Sequence, residues 1–200
     1  MPITAQPLNC TLKAKGDSST DAMLDVLSVA FEKQSVKIEK TIRVAAKNVL
    51  PGVSSDEGEG DDWPEIRKQV LAADILILGT PIWMGQPGSV CKRVLERMDA
   101  FLDETDEAGR MPSYSKLAVV AVVGNEDGAH HVCAELFQAL NDVGWTIPAI
   151  GGCYWAGEAM GDVDFKDLKA VPRKVTKTAG MVAANAAHLA RLLKENPYGG

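Results

Sequence analysis

The stretch ADILILGTPIWMGQPG, residues 73–88, decides the fold of this chain. Residues 74–79 (DILILG) form a nearly continuous apolar run, which is typical of a central parallel strand covered on both faces. Residues 80–88 contain two prolines and two glycines, and they predict a loop at the carboxyl end of that strand. The stretch therefore favours an α/β protein with a buried parallel sheet.

Outward from this stretch, strand-like and helix-like segments alternate along the chain. Apolar runs and period-two patterns predict four further strands, over residues 3–9, 36–44, 116–124 and 146–151. Amphipathic patterns predict helices over residues 19–33, 62–72, about 90–101, 129–143 and 175–195. We therefore predict a single domain over residues 1–200, a doubly wound five-stranded parallel sheet with helices on both faces.

Local signals refine this picture in the first half of the chain. Residues 36–44 alternate apolar and polar side chains, which predicts an edge strand with one solvated face. Residues 46–62 carry five acids between positions 56 and 62, and they predict an exposed loop. Asp62 precedes Trp63 and Pro64, so we predict that its side chain caps the next helix.

Composition excludes several classes of protein. The formal net charge is -6 and the basic residues are scattered, which argues against a nucleic-acid binder. No apolar run approaches the ~20 residues that a membrane span requires. The first twenty residues lack the apolar core of a signal peptide, so a cytoplasmic location is expected. The four cysteines are far apart and form no CxxC pair, which predicts free thiols and no metal site.

In doubly wound sheets ligands bind beyond the carboxyl ends of the strands, near the point where strand order reverses. The loop after the first strand, residues 10–20, places hydroxyls and two lysines before a helix start, where free N–H groups suit a phosphate. The alternative is that Ser18 or Ser19 only caps the helix. Residues 80–88 are instead apolar and aromatic, and they suit a flat conjugated ring; the alternative is a loop packed beneath the next helix.

Two later segments complete the candidate site. Residues 124–131 contain Gly124 and Gly128, which permit close approach of the backbone, whereas the adjacent His130 and His131 cannot chelate one metal from a helix face. Residues 152–174 predict a long loop, and its start, residues 152–160, carries Tyr154, Trp155 and Met160. We predict that Tyr154 and Trp155 shape a substrate site beside a subunit interface; the alternative is that both pack beneath the last helix.

The order of these loops resembles the flavodoxin-like NADPH-dependent FMN reductase family, which includes the WrbA-like flavoproteins. The resemblance covers roughly residues 8–150, and its most specific parts are DDWPEI (61–66) and ADILILGTPIWMG (73–85), closing with Lys92, Arg97 and Met98. It implies a flavodoxin-like fold that binds FMN. The implied contacts to FMN fall into three groups: Thr11, Lys13, Ser18, Ser19 and Thr20 for the phosphate; Pro81, Ile82, Trp83, Met84 and Gly85 for the ring; and Gly124, Asn125, Glu126, Asp127 and Gly128 for the other ring edge.

The first loop departs from the family pattern. The family tends to have Gly-Ser-Pro-Arg where this chain has Cys10-Thr11-Leu12-Lys13. Thr11 and Lys13 keep a hydroxyl and a charge, but lysine lacks the bidentate fork of arginine. A modest affinity for FMN is therefore expected.

The resemblance also implies a function. NADPH or NADH would reduce FMN, and the reduced flavin would pass electrons to a quinone, free flavin or similar small acceptor. Members of the family assemble, so a homodimer or homotetramer is expected; no side chain is assigned a catalytic role. One alternative is a flavodoxin-type electron carrier without direct NAD(P)H turnover, whose acidic segment 56–62 would dock redox partners. Another is a flavin-binding domain without turnover.

Overall fold

The computed structural model describes residues 2–159 and 161–199, and within them it has seven strands and five α-helices. The strands are β1 (Ile3–Asn9), β2 (Val36–Ile38), β3 (Ile42–Arg43), β4 (Ile75–Trp83), β5 (Gln86–Pro87), β6 (Leu117–Gly124) and β7 (Gly152–Ala156). The helices are α1 (Ser19–Glu32), α2 (Trp63–Ala72), α3 (Ser89–Met98), α4 (Ala129–Asp142) and α5 (Arg173–Glu195). Met160, which the sequence grouped with Tyr154 and Trp155, lies outside the described residues.

The sheet has the order β2-β1-β4-β6-β7, and these five strands are parallel. α1 and α5 pack on one face over a core that includes Met23, Leu27 and Val182. α2, α3 and α4 cover the other face, over a core that includes Trp63 and Leu136. The predicted flavodoxin-like α/β class is confirmed. No helix among the described residues is long and apolar enough to cross a membrane.

The count of seven strands, rather than the predicted five, has two causes. β5 is a two-residue strand that forms an antiparallel hairpin with β4. The predicted edge strand 36–44 is split, because β2 pairs with Ile3–Ala5 and β3 with Leu8–Asn9. The break lies opposite Pro7, which has no N–H to donate, and the Gln6 side chain donates instead to the Lys40 carbonyl at 2.9 Å.

The segment 46–62 is mostly exposed as predicted, but the side chain of one of its acids is fully buried. The Asp61 carboxylate and the Arg97 guanidinium are both 0% exposed and form an ion pair at 2.7 Å. Arg97 also donates to the carbonyls of Leu50 and Ser54, at 2.9 and 3.0 Å. Burial by itself raises the pKa of Asp61, but the Arg97 guanidinium and three backbone N–H groups hold that pKa well below its ordinary value.

The predicted helix cap at Asp62 is wrong in its side-chain contact. Asp62 stands at the N-cap position of α2, yet its carboxylate accepts a hydrogen bond from Asn48 N at 2.8 Å. The N–H of Trp63 instead donates to Asp61 Oδ1 at 3.1 Å. The acids at this end of the loop therefore tie the loop to itself and to α2.

The predicted last strand, residues 146–151, is also wrong. Thr146 forms only an isolated bridge to Leu117, and the strand is β7, which pairs with Val120–Gly124. All five residues of β7 therefore fall within the predicted loop 152–174, and the first of them is Gly152. A Cβ there would lie 3.1 Å from the Phe137 ring and 3.2 Å from Val120 Cγ2, so packing beneath α4 favours glycine at this position.

Candidate functional site

A cavity of about 560 Å³ opens at the carboxyl ends of β1, β4 and β6. This is the place where strand order reverses, and doubly wound sheets bind ligands there. The cavity is lined by the three loops that the sequence singled out. Its lining residues are Thr11, Leu12, Lys13, Ser18, Ser19, Thr20, Pro81, Ile82, Trp83, Met84, Val123, Gly124, Asn125, Glu126 and Asp164.

One end of the cavity is the start of α1. Ser18 caps the helix, since its Oγ accepts from Asp21 N at 3.1 Å and donates to the Asp21 carboxylate at 2.8 Å. The capping alternative is thus correct for Ser18, and its hydroxyl is already engaged. The hydroxyls of Thr11 and Thr20, both nearly buried, and the N–H groups of Ser19 and Thr20 have no protein partner among the described residues. These donors remain for a ligand.

Arg43 is a residue of this end that the sequence did not indicate. It is the last residue of β3, pairs with the Asp21 carboxylate and donates to the Gly16 carbonyl. Asn9 donates to the same carboxylate and accepts from Thr11 N at 2.8 Å. The loop is therefore fixed at both ends, and the charge of Asp21 is balanced next to the helix start. The period-two pattern of 36–44 predicts a strand but not this contact.

The opposite end of the cavity is the tip of the β4–β5 hairpin. β4 continues through Trp83, so residues 80–83 are strand rather than the predicted loop. Trp83 pairs with Gln86, and Met84 and Gly85 between them have φ values of 52° and 73°. Two-residue hairpins require such left-handed residues. Trp83 is 52% exposed and Met84 88% exposed, so the hairpin presents large apolar side chains at the mouth of the cavity.

The loop after β6 forms the remaining wall. Glu126 Oε1 accepts a hydrogen bond from Met84 N at 2.8 Å and so joins this loop to the hairpin. Asn125 Nδ2 donates to Asp164 Oδ1 at 2.9 Å, which brings a residue of the predicted long loop into the site. Asp164 was not among the candidates, because a single acid in a loop gives no sequence signal.

Gly85, Asp127 and Gly128 are candidates that do not line the cavity. Gly128 has φ 101°, and a Cβ there would lie 2.8 Å from Gly85 Cα. The two glycines thus let the hairpin and the β6 loop meet backbone to backbone. Asp127 is exposed.

The cavity does not include Tyr154 or Trp155, the predicted substrate residues. Tyr154 Oη is hydrogen-bonded to His130 Nε2 at 2.7 Å, on the α4 side of the sheet. Trp155 packs against Phe165 on the other side, with ring centroids 5.4 Å apart. Because successive residues of a strand face opposite sides, the two aromatics cannot line one site together.

The cysteines and the possible metal ligands among the described residues give no sign of a catalytic group. All four cysteines are buried, and burial raises the pKa of Cys133 to about 11 and that of Cys153 to about 12. Such thiols are poor nucleophiles at neutral pH. Across the part of the chain that the structure describes, no three His, Cys, Asp or Glu residues are grouped to hold a metal ion.

The cavity fits a phosphate ester that carries a planar ring. Its volume lies within the ~300–1,000 Å³ of small-molecule sites. One end offers unpaired N–H and hydroxyl donors beside Lys13, and the other offers the apolar residues Pro81, Ile82 and Trp83. The donor set suits the phosphate of FMN and the apolar end suits its ring. Fold and site together define a flavodoxin-like flavoprotein.

Comparison with known proteins identifies the family. The family model described as NADPH-dependent FMN reductase matches residues 8–160, and the chain belongs to this family. It is therefore a flavin-associated oxidoreductase with FMN and NAD(P)H as cofactors.

Two relatives are similar over almost the whole chain. The 8-demethyl-8-aminoriboflavin-5'-phosphate synthase of Streptomyces davaonensis is 30% identical over a gapped alignment of 209 positions, which covers 99% of this chain and 81% of that protein. The crystal structure of RosB with the bound intermediate 8-demethyl-8-formylriboflavin-5'-phosphate has a TM-score of 0.86 and 29% identity, covering 98% of this chain and 82% of that one.

More distant structures share the fold. The WrbA-like flavodoxin of Agrobacterium tumefaciens has a TM-score of 0.63 and 15% identity, covering 96% of this chain and 99% of that one.

Proposed function

We propose that this protein is an NAD(P)H-dependent reductase that passes reducing equivalents through bound FMN to a quinone, free flavin or similar small acceptor. The observation that carries the proposal is the cavity itself, in which a donor-rich helix start faces an apolar hairpin across about 560 Å³. FMN supplies the chemistry, since its ring can take up a hydride and release electrons.

In this proposal the residues of the chain bind FMN and orient its ring. Lys13, the Thr11 and Thr20 hydroxyls and the free N–H groups of α1 would hold the phosphate. Pro81 and Ile82 would lie against the ring and exclude water from it. Hydride transfer to a flavin requires no side-chain acid or base, so no catalytic side chain is assigned.

Direct reduction by the nicotinamide is the property that separates a reductase from an electron carrier. We expect rapid mixing of the FMN-loaded protein with NADPH or NADH to bleach the flavin faster than about once per second, the lower range of ordinary turnover numbers. Reoxidation by a quinone or by free flavin would then identify the acceptor. A flavin that NADPH and NADH leave oxidised for minutes, but that a redox protein reduces, would refute the reductase and favour the carrier.

The acidic segment 56–62 gives little support to the alternative function of an electron carrier. Asp61 is buried in the ion pair with Arg97, and Asp62 accepts from Asn48 N. Asp56 accepts from Gly58 N at 2.8 Å. Several of these acids therefore stabilise the loop itself, and fewer remain to dock a partner.

A second candidate function is chemistry on the flavin itself. It is favoured by one observation, namely that the relative named for synthesis of an 8-aminoriboflavin phosphate is similar over 99% of this chain. Incubation with FMN in air, with and without an amino-group donor, followed by mass spectrometry of the extracted flavin, tests it. A flavin altered at its 8-position supports this function, whereas unchanged FMN refutes it.

We also propose that the chain forms a homodimer or homotetramer. A groove of about 1000 Å³ between α3 and α4 shares Leu12, Trp83 and Met84 with the flavin cavity. Large exposed apolar side chains of this kind often mark an interface. Light scattering coupled to size-exclusion chromatography measures the assembly, and a monomer at micromolar concentration would refute it.

A further inference from the structure

Glu126 is an unbalanced negative charge in the wall of the flavin cavity. Among the described residues, no lysine, arginine or histidine lies within 4.0 Å of its carboxylate. Asp164, the other acid of the wall, differs in this respect. Its carboxylate lies 3.9 Å from Lys166 Nζ and accepts from Asn125 Nδ2 at 2.9 Å.

The Glu126 carboxylate is also held in position. Oε1 accepts from Met84 N at 2.8 Å, and Met84 lines the cavity beside Trp83. The close contact between Gly85 and Gly128 fixes the hairpin against the loop that carries Glu126. The negative charge therefore stays at the apolar end of the cavity, where the ring of FMN would lie, and away from Lys13 at the other end.

We propose that the negative charge of Glu126 lowers the midpoint potential of bound FMN; this rests on the proposed binding of FMN in this cavity. Two-electron reduction adds negative charge to the flavin, and a nearby carboxylate opposes that change. A unit charge about 10 Å away, at an effective dielectric constant of about 20, shifts such an equilibrium roughly tenfold. A lower potential makes the reduced flavin a stronger reductant, so Glu126 extends the range of acceptors toward those that are harder to reduce.

Glu126→Gln separates charge from structure. Glutamine has nearly the same shape and keeps an oxygen that accepts from Met84 N, so only the charge is lost. Asp127→Asn is the matched control, because it removes the same charge from the adjacent residue, which is exposed and does not line the cavity. The midpoint potential of bound FMN is measured by equilibration with a reference dye, and the Kd of FMN is measured in parallel.

We expect Glu126→Gln to favour reduced flavin about tenfold, a rise of about 30 mV for a two-electron couple. The rise for Asp127→Asn should be less than half of that, and the Kd of FMN should change little in both variants. Equal rises in both variants would show an effect of net charge alone and overturn the inference, as would no rise in Glu126→Gln.

Glu126→Ala provides a second measurement, because it removes the charge together with the link to Met84. It should raise the potential as much as Glu126→Gln does. A rise in the alanine variant alone would assign the effect to the link and refute the role of the charge. A wild-type protein that binds no FMN would refute the proposed function, and this inference with it.

Discussion

The two lysines of the first loop make the sharpest test of the phosphate end of the cavity. Lys13 lines the cavity and Lys15 does not, although both are exposed and only two residues apart. Lys13→Ala removes a positive charge from the proposed phosphate site, and Lys15→Ala removes the same charge from the same loop. The pair therefore holds net charge constant and varies only the position of the lysine.

The exposure of Lys13 determines how much FMN affinity Lys13→Ala is expected to lose. A hydrogen bond to a charged group contributes ~1.5–3 kcal/mol when it is shielded, whereas exposed ion pairs contribute ~0.2–1 kcal/mol. We therefore expect Lys13→Ala to weaken FMN binding by about 1 kcal/mol, which is roughly fivefold in Kd. Lys15→Ala should change the Kd by less than about twofold, the low end for a solvated charge.

Calorimetric titration with FMN measures both variants, and a repeat at high salt tests the cause. The difference between Lys13→Ala and wild type should shrink with added salt, because exposed charges are screened over ~10 Å at 0.1 M. Equal losses in the two variants, or a larger loss for Lys15→Ala, would refute the assignment of Lys13 to the phosphate.

Three further predictions concern the ligand, the buried ion pair and the aromatic strand. Riboflavin, which lacks the phosphate, should bind at least about tenfold more weakly than FMN, because it forfeits one or more charge-assisted hydrogen bonds; equal Kd values would refute the phosphate assignment. Asp61→Asn should lower the free energy of unfolding by ~3–5 kcal/mol, since it leaves the Arg97 charge buried without its counter-charge. Because folding lowers the pKa of Asp61, the contribution of its carboxylate to the free energy of unfolding is present at neutral pH and declines as the pH falls below the ordinary pKa of 3.8. Urea titrations at pH 7 and pH 3 measure the loss caused by Asp61→Asn and its dependence on pH. A pH-independent loss below about 1 kcal/mol would contradict both expectations. Trp155 packs against Phe165 and does not line the flavin cavity, so Trp155→Ala should lower the Tm and leave FMN content and NADPH oxidation unchanged. Slower NADPH oxidation or a changed oligomeric state at an unchanged Tm would instead assign Trp155 to a substrate site or an interface.

The loops that form the cavity could be predicted from sequence, because two of them follow strands with a strong apolar signal and the first, residues 10–20, is itself rich in hydroxyls. β4 and β6 are buried on both faces, so their apolar composition predicts them as strands. Because they are neighbouring parallel strands, the loops beyond their carboxyl ends lie side by side. The change from a hydroxyl-rich loop near Thr11 to an apolar segment near Trp83 then indicated a ligand with a polar and an apolar end. These are local signals that one sequence carries.

The contacts that fix the site could not be predicted in the same way. Arg43 reaches Asp21 and Arg97 reaches Asp61, across 22 and 36 positions of the chain. Pairings of this length depend on the packed fold, and one sequence gives no sign of them. The position of β7 depends on packing in the same way, since its first residue is Gly152, which lies beneath α4, and glycine by itself does not indicate a strand.

The broken edge next to Pro7 also affects how this sheet meets other molecules. β2 has three residues and β3 two, so this edge offers neighbouring chains only short runs of unpaired backbone. Short, interrupted edges resist the strand-to-strand contacts from which aggregates grow. The opposite edge, β7, is a continuous strand of five residues. If the sheet were to extend across two molecules, strand addition would be favoured at β7, because the broken edge formed by β2 and β3 offers too little continuous backbone to pair with.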